Sequence, residues 1–330
     1  MAKLKLFKSR DLEQYLGKRP GETKFGEKLS LVSSLGELTG SNAKFVLFGI
    51  PEDIGIRANH GKPGAAGAWE ALLQALLNVQ DNLFNHPEDL LLLGSLDCSE
   101  ENKKTANLET SDPNYLIKLG ELVDGIDWKV AEVVETILKA GKTPIIIGGG
   151  HNNAFGNIKA AAAAMNAPIN VLNIDAHTDL RQLEHRHSGN GFSYARDRGY
   201  LKKYSVFGLH QNYTPQYIFE EMLASEELEF HLFEDLQNED KTEEFIQAIE
   251  FVGGDKFGLE LDCDSIAGFP SSAMSPSGFQ FDEVREFVKM AANDRNCLYF
   301  HICEAGVEGI YPVGKALSYL VTDFMRLHTH

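Results

Sequence analysis

The sequence predicts an α/β protein whose mainly parallel sheet is covered by helices on both faces. Two observations predict this fold class. Short apolar runs alternate with segments of helical spacing along the 330 residues, which is the pattern of parallel strands joined by crossover helices. No linker, repeat or low-complexity tract interrupts that alternation, so we expect a single domain over residues 1–330.

The predicted strands are apolar runs that end in glycine or polar residues. In chain order they lie in AKFVLFGI (43–50), DLLLLGSLD (89–97), TPIIIGGGH (143–151), INVLNIDAH (169–177), YSVFGLH (204–210), KFGLELDCD (256–264) and CLYFHICEAG (297–306). Helical spacing is found in AWEALLQALLNV (68–79), WKVAEVVETILKAG (128–141), AFGNIKAAAAAMN (154–166) and FDEVREFVKMAAN (281–293). The polar stretch ENKKTANLETSDPN (101–114) is predicted to be a loop.

Composition argues against several classes of partner. A net charge of -17 disfavours nucleic acid, whose phosphates require clustered Lys and Arg. The sequence lacks the run of about 18 apolar residues that a membrane span needs. Four cysteines without a C-x-x-C pair favour a reducing compartment, and the N-terminal segment lacks the apolar core of a signal peptide. We therefore expect a cytoplasmic protein that acts on a small molecule.

Three of the apolar runs end in side chains that can bind metal ions. Such residues gather at one edge of the sheet, because ligands of open α/β sheets bind beyond the carboxyl ends of the strands. Alternate residues of an extended segment also point to the same side. The candidate ligands are His151, Asp175, His177, Asp179, Asp262 and Asp264.

Four carboxylates and two imidazoles brought together predict a metal centre. Unpaired, the carboxylates would repel one another at a cost of several kcal/mol, as estimated for buried ions. Oxygen-rich ligation with imidazole suits manganese better than zinc, and six ligands are too many for one tetrahedral ion. We therefore expect two Mn²⁺ ions, about 3.5–4 Å apart as in two-metal hydrolases.

Each ligand segment also has an ordinary structural interpretation. His151 alone could cap a helix or lie in a loop, and Asp262-Cys263-Asp264 could be a strand that ends in a turn. Cys263 would face away from the two aspartates, where core packing explains it best. The occurrence of matched ligand types after three separate runs favours the metal interpretation.

The segments GGGHNN (148–153), DAHTD (175–179) and DCD (262–264) resemble the signature segments of the ureohydrolase superfamily, which includes arginases, agmatinases and formimidoylglutamases. The resemblance spans roughly residues 43–327. It implies an arginase-like three-layer sandwich around a mostly parallel eight-stranded sheet, with residues 1–42 as an N-terminal extension packed on it. It also implies two manganese ions, and relatives of this kind are often homo-oligomers.

By resemblance, His151 and Asp179 bind one ion, His177 and Asp264 bind the other, and Asp175 and Asp262 bridge them. Two divalent cations of this kind activate water for attack on a planar carbon, and Asp179 would orient that water. Glu304 matches the family glutamate that pairs with the cationic guanidino or formimino group of the substrate. A surface carboxylate after a strand is the alternative for Glu304.

Arg181 distinguishes between members of the superfamily. Arginases typically carry asparagine at this position, whereas DAHTDLR (175–181) looks like formimidoylglutamases. An arginine binds a carboxylate through two parallel hydrogen bonds. Formimidoylglutamate offers two carboxylates and agmatine offers none. A structural ion pair with Glu184 or Asp197 is the alternative.

Two further segments supply candidate substrate contacts. HSGNGFSYA (187–195) resembles a formimidoylglutamase loop, with Ser188 in the place of the arginase proton-shuttle histidine. His187 lies beside it and is either a shifted shuttle or a loop histidine. IRANHGKPGAAGAWEAL (56–72) resembles a family segment in which Asn59 and Lys62 would contact substrate.

The leading hypothesis is a manganese-dependent hydrolase that splits N-formimidoyl-L-glutamate into L-glutamate and formamide. An arginase or another guanidino-acid ureohydrolase is the alternative, and a dicationic agmatine would meet repulsion from Arg181. A non-catalytic binding protein would be expected to lack ligands, and a single-zinc deacetylase would not need six. Asn152 after the first histidine and the altered stretch SIAGFPSSAMSPSGF (265–279) depart from the family pattern.

Overall fold

A computed structural model describes residues 3–328 and contains one nine-stranded sheet. The strands alternate with helices along the chain, as the sequence predicts. The strands are β1 (Leu4–Leu6), β2 (Phe45–Gly49), β3 (Leu90–Leu96), β4 (Thr143–Ile147), β5 (Ile169–Ile174), β6 (Leu201–Leu209), β7 (Leu228–Leu232), β8 (Phe257–Asp262) and β9 (Cys297–Cys303).

The order of the strands is β1-β3-β2-β4-β9-β8-β5-β6-β7. Eight of them, β2 to β9, are parallel, and this confirms the mostly parallel arginase-like sheet. The ninth is the short strand β1, which pairs antiparallel with β3 at one edge. Because β1 has only three residues, its sequence shows too little periodicity to be recognised as a strand. The sheet therefore has nine strands, one more than the eight that were expected.

Helices cover both faces of the sheet. They are α1 (Ser9–Leu12), α2 (Ile54–Ala58), α3 (Ala68–Leu76), α4 (Ser99–Ala106), α5 (Tyr115–Lys139), α6 (Ala154–Met165), α7 (Gly191–Asp197), α8 (Gln216–Leu223), α9 (Phe233–Leu236), α10 (Lys241–Gly253), α11 (Phe281–Ala292) and α12 (Val313–Leu327). Within residues 3–328, none of them is both long enough and apolar enough to cross a membrane.

Strand residues alternate between two apolar cores. In β2, Phe45 and Leu47 belong to the core that includes residues of α3, α10, α11 and α12, whereas Val46 and Phe48 belong to the core that includes residues of α2, α5, α6, α7 and α8. Because a parallel sheet buries both faces, both sets of strand side chains are apolar. The result is the three-layer α/β sandwich.

The N-terminal segment contributes to the sheet and to one core. Leu4 of β1 pairs with Leu96 of β3, and Leu12 and Phe25 are buried in the core that contains α3 and α12. Phe25 is completely buried, and its backbone N–H donates to the carbonyl of Val79 at 2.7 Å. These contacts support the proposal that the N-terminal extension, predicted as residues 1–42, belongs to the same domain; its first two residues lie outside the described part of the chain.

One local prediction is wrong. Residues 101–114 were expected to form a loop, but helix α4 occupies Ser99–Ala106. Asp97 accepts a hydrogen bond from the backbone N–H of Ser99. Acidic residues in the first turn and lysines in the last turn complement the helix dipole. These end effects stabilise a helix whose composition has little apolar periodicity.

We expect Phe25→Ala to lower the free energy of unfolding by about 3–5 kcal/mol, the usual cost of emptying a buried phenylalanine site. Urea denaturation measures this change. Phe84→Ala is the matched control because Phe84 is 68% exposed, and surface substitutions usually stay within about 0.5 kcal/mol. A loss below about 1 kcal/mol for Phe25→Ala would mean that the N-terminal segment is not an integral part of the domain.

Candidate active site

All six predicted ligands lie at or just after the carboxyl ends of three central strands of the sheet. His151 comes four residues after β4, the Asp175 segment comes directly after β5, and Asp262 is the last residue of β8. Strand β9 lies between β4 and β8 and is followed directly by Glu304. Four neighbouring carboxyl ends, in the order β4-β9-β8-β5, therefore supply the site.

The first group of ligands surrounds the ring of His151. Its Nδ1 lies 3.2 Å from Asp175 Oδ2, 2.9 Å from Asp179 Oδ2 and 3.3 Å from Asp262 Oδ2. Ligand atoms about 2.1 Å from an octahedral ion are about 3 Å apart. These four side chains therefore have the spacing of a single metal site.

The second group contains His177, Asp175 and Asp264. His177 Nδ1 lies 3.5 Å from Asp175 Oδ1 and 3.1 Å from Asp264 Oδ2. Asp175 offers one oxygen to each group, which is the position of a bridging carboxylate. Asp262, the other predicted bridge, faces His151 with Oδ2, and its Oδ1 accepts the backbone N–H of Asp264 at 2.8 Å.

Burial of the carboxylates and their mutual repulsion favour the binding of cations by this cluster. Asp175 is completely buried, and Asp262 is 3% exposed. Burial and the charges of Asp264 and Asp175 raise the pKa of Asp262 well above its usual range. Both ring nitrogens of His151 and Oδ1 of Asp264 are buried without a hydrogen-bond partner among residues 3–328. The residues present therefore fit a binuclear metal centre.

The two imidazoles act on the charge of the shared carboxylate. Burial alone would raise the pKa of Asp175, but the close contacts with His151 and His177 and the charges of these two rings outweigh burial and lower it below its usual range. Asp175 is therefore held as an anion. A charged carboxylate is the form that binds a metal ion.

Unusual backbone conformations place the site residues. Asp179 and Glu304 have φ angles of 48° and 59°, in a region that residues other than glycine rarely adopt. Gly148 and Gly149, in the turn that leads to His151, have φ angles of 89° and 74°. The strained conformations of Asp179 and Glu304 persist only where surrounding contacts enforce them, and strain of this kind is concentrated at functional sites.

Glu304 is buried beside the predicted metal ligands. Its Oε1 accepts the backbone N–H of His151 at 3.0 Å, and its Oε2 accepts the hydroxyl of Ser272 at 2.5 Å. Burial raises its pKa to about 8. The alternative of a surface carboxylate is excluded, since Glu304 is only 3% exposed. It lines a cavity of about 190 Å³ together with Asp179, Asp262 and Asp264.

Arg181 lines the same cavity. Its backbone is fixed, because its N–H donates to the carbonyl of Gly189 and its own carbonyl accepts the hydroxyl of Ser193. The alternative ion pairs are not formed: Glu184 pairs with His187 and Asp197 pairs with Arg198. Among residues 3–328, no carboxylate forms an ion pair with the Arg181 guanidinium.

Asn59 and Ser188 also line this cavity and are hydrogen-bonded to each other. Asn59 Nδ2 donates to Ser188 Oγ at 3.1 Å. A Cβ on Gly189 would lie 3.0 Å from both Asn59 Nδ2 and Arg181 Cδ. Glycine at this position lets the amide and the guanidinium approach the same loop.

His187 and Lys62 lie away from this cavity. His187 is 1% exposed, its Nε2 pairs with Glu184 at 3.1 Å, and its Nδ1 accepts the backbone N–H of Gly189 at 3.0 Å. Burial lowers its pKa to about 4. Both ring nitrogens are occupied by the loop, so these contacts favour a structural role over the predicted proton shuttle.

Lys62 is 64% exposed and pairs with Glu308. It lines a larger outer cavity of about 980 Å³, which shares His177, Tyr213 and Ser272 with the inner one. Lys62 therefore lines the outer cavity and does not line the inner one.

Two cavity residues were missed in the sequence. The Tyr213 ring stacks on His177, with ring centroids 5.2 Å apart, and Ser272 donates to Glu304. Tyr213 follows β6, so the rule that searched the ends of strands could have found it. Ser272 lies in an irregular loop, where no periodic pattern marks it.

Three supporting residues inside the strands were also missed. Asn173 of β5 donates to Asp175 Oδ2 at 2.9 Å. Glu260 of β8 and His301 of β9 are completely buried and contact each other. A signal was present, because each is a polar residue inside an otherwise apolar buried strand.

The comparisons with known proteins agree with this geometry. The model of the arginase family matches residues 43–306. The chain belongs to the arginase family. Formimidoylglutamase of Salmonella paratyphi C is 29% identical over 239 residues, which cover 70% of this chain and 67% of the relative. Formimidoylglutamase of Citrobacter koseri is 27% identical over 237 residues with the same coverage.

Solved structures show the same fold. Formimidoylglutamase from Bacillus subtilis aligns with a TM-score of 0.73 at 18% identity and covers 97% of this chain and 98% of that one. Formiminoglutamase from Trypanosoma cruzi with Mn²⁺ aligns with a TM-score of 0.71 at 19% identity, over 93% and 98% of the two chains. Family and relatives together identify this chain as an arginase-family hydrolase that acts on C–N bonds in linear amidines.

Proposed function

We propose that this hydrolase is a binuclear manganese formimidoylglutamase, which converts N-formimidoyl-L-glutamate and water into L-glutamate and formamide. The observation that carries the proposal is Arg181, whose guanidinium forms no ion pair among residues 3–328. It lines the cavity that is also lined by Glu304 and by four of the six predicted ligands, His177, Asp179, Asp262 and Asp264. This cavity presents a carboxylate for a formimino cation and a guanidinium for a carboxylate. Formimidoylglutamate carries both groups.

The proposed metal ligands are the six clustered side chains. His151 and Asp179 would hold one ion, His177 and Asp264 the other, and Asp175 and Asp262 would be shared. The T. cruzi relative was crystallised with Mn²⁺, which supports manganese. When bound, two such ions supply Lewis acidity and an activated water.

Protein groups would position the substrate against that centre. Glu304 is fixed by Ser272 and by the backbone of His151, so its carboxyl group is held where a formimino cation can pair with it. The charge of that cation favours the ionised carboxylate and opposes the effect of burial on its pKa. Arg181 would grip a substrate carboxylate through two parallel hydrogen bonds. Asp179 faces His151 with its Oδ2. Its other oxygen, Oδ1, would accept a proton from the attacking water. Asn59 and Ser188 are polar contacts at the cavity wall.

We propose that His187 supports the loop and that Lys62 acts at the entrance, as their contacts indicate. The cytoplasm remains our proposed compartment, and it would keep the four buried free thiols reduced. Histidine breakdown is the proposed metabolic setting, since formimidoylglutamate is the proposed substrate. A homo-oligomer stays a prediction.

The direct test is a substrate panel with manganese-loaded enzyme, in which formamide, urea and ammonia are assayed separately. We expect formamide from N-formimidoyl-L-glutamate, with little urea from L-arginine or other guanidino acids and none from agmatine. Urea as the main product would instead identify a guanidino-acid ureohydrolase. Release of neither product from any compound, with two ions bound, would contradict the proposed reaction.

Arg181→Lys should lower kcat/KM for formimidoylglutamate by about ten- to a hundredfold, because an ammonium cannot reproduce the planar fork and charged hydrogen bonds are worth about 1.5–3 kcal/mol. Steady-state kinetics should be compared for formimidoylglutamate and for two analogues that each lack one of its carboxylates. The analogue without the contacted carboxylate should respond least to the substitution.

Arg196→Lys is the matched control, since Arg196 lies on the next helix, pairs with Glu221 and does not line the inner cavity. Its kinetics should stay close to those of the wild type. If Arg181→Lys lowers kcat/KM equally for all three compounds while both ions are retained, Arg181 supports the structure of the site and does not recognise a substrate carboxylate.

A further inference from the structure

A column of buried polar side chains lies directly beneath the first group of ligands. Residues Leu259 and Leu261 of β8 face the core that contains α12, so Glu260 and Asp262 share the opposite face of that strand. Glu260 is paired in register with His301 of β9. Both are completely buried, in the interior of two central strands.

Glu260 is satisfied by donors on both of its oxygens. Oε1 accepts the hydroxyl of Tyr299 at 2.8 Å and the amide of Asn157 at 3.4 Å. Oε2 accepts His301 Nδ1, whose ring places its Nε2 3.3 Å from the carbonyl of Gly148. Both ring nitrogens of His301 therefore face oxygen atoms. Glu260 and His301 form a buried hydrogen-bonded pair between two neighbouring strands.

The same oxygen of Glu260 faces a metal ligand. His151 Nε2 lies 3.7 Å from Glu260 Oε2, and its other nitrogen, Nδ1, faces Asp175, Asp179 and Asp262. Nε2 is buried and has no hydrogen-bond partner among residues 3–328. Glu260 is thus the acceptor placed for the Nε2 proton, and a proton on Nε2 leaves Nδ1 free to bind an ion.

The second histidine has a different environment. His177 is 27% exposed at its side chain, and its ring stacks on Tyr213. Among residues 3–328, no carboxylate forms an ion pair with its Nε2; the two that pair with this ring, Asp175 and Asp264, face Nδ1. Among residues 3–328, therefore, only the first group has a carboxylate, Glu260, that faces the Nε2 atom of its histidine.

We propose that Glu260, held by His301 and Tyr299, is a positioning residue that fixes the tautomer and orientation of His151 and thereby strengthens metal binding at the His151 site selectively. The inference rests on the binuclear centre of the proposed function. Carboxylates that accept the second N–H of a metal-binding histidine orient the ring and increase its basicity, and their loss typically weakens metal affinity by about 10–100-fold.

The test is a double-mutant cycle on Mn²⁺ affinity. His177→Asn leaves the His151 site as the intact one, and His151→Asn leaves the His177 site. Glu260→Gln, which is nearly isosteric, is introduced into each background. Free Mn²⁺ is followed by electron paramagnetic resonance during titration. We expect Glu260→Gln to weaken binding by about 10–100-fold in the His177→Asn background and to leave binding unchanged in the His151→Asn background.

Asp323→Asn is the matched control. Asp323 is also a buried carboxylate, 2% exposed, but it lies on α12 and binds Arg285 and Arg326. It should change the affinity in neither background. If Glu260→Gln does not fold, as judged by circular dichroism, Tyr299→Phe removes one hydrogen bond to Glu260 and should give a roughly two- to tenfold loss with the same selectivity.

The possible outcomes separate two claims. Wild-type protein that binds no Mn²⁺ would contradict the proposed manganese enzyme itself. Wild-type protein that binds two ions, with an equal effect of Glu260→Gln in both backgrounds or no effect in either, would overturn the positioning role alone. In that case the Glu260–His301 pair would serve only the packing of the sheet.

Discussion

Mutual repulsion among buried carboxylates is the constraint on which this structure depends. Asp175, Asp262 and Asp264 are almost completely buried. Asp175 lies within contact distance of both imidazoles, Asp262 of His151 and Asp264 of His177. Taking several like charges out of water is stable only if opposite charge is supplied. The fold supplies part of that charge through His151 and His177, and the remaining deficit is the strongest physical argument for divalent cations.

Backbone conformations and side-chain contacts around the cluster hold its residues in place. Glycines with positive φ angles turn the chain after β4 so that His151 can face the aspartates. Asp179 and Glu304 are held in left-handed conformations by the surrounding loops. Beneath them, polar residues in the strands contact the ligands, at the cost of interrupting an apolar core. Arg181 remains unpaired at the cavity wall because the neighbouring acidic residues have other partners.

Much of this arrangement could be predicted from the sequence, because it depends on local patterns. The alternation of strands and helices gave the parallel sheet, and His151, Asp175 and Asp264 were found by their position after apolar runs. Strand order depends on long-range packing, so the adjacency of β9 to β4 and β8 had no local signal. The same limit applies to Ser272, which reaches Glu304 across 32 positions of sequence. For His187 the sequence left a proton shuttle and a loop histidine open, because a motif position does not show which way a loop side chain points; its contacts with Glu184 and Gly189 favour the loop role.

Anomalous diffraction at the manganese absorption edge, with crystals grown at saturating Mn²⁺, tests the binuclear centre most directly. We expect two peaks in the cluster, one beside His151 and one beside His177, with Asp175 between them. A single peak or none, with Asp175 still in direct contact with the two histidines, would contradict the proposed binuclear centre.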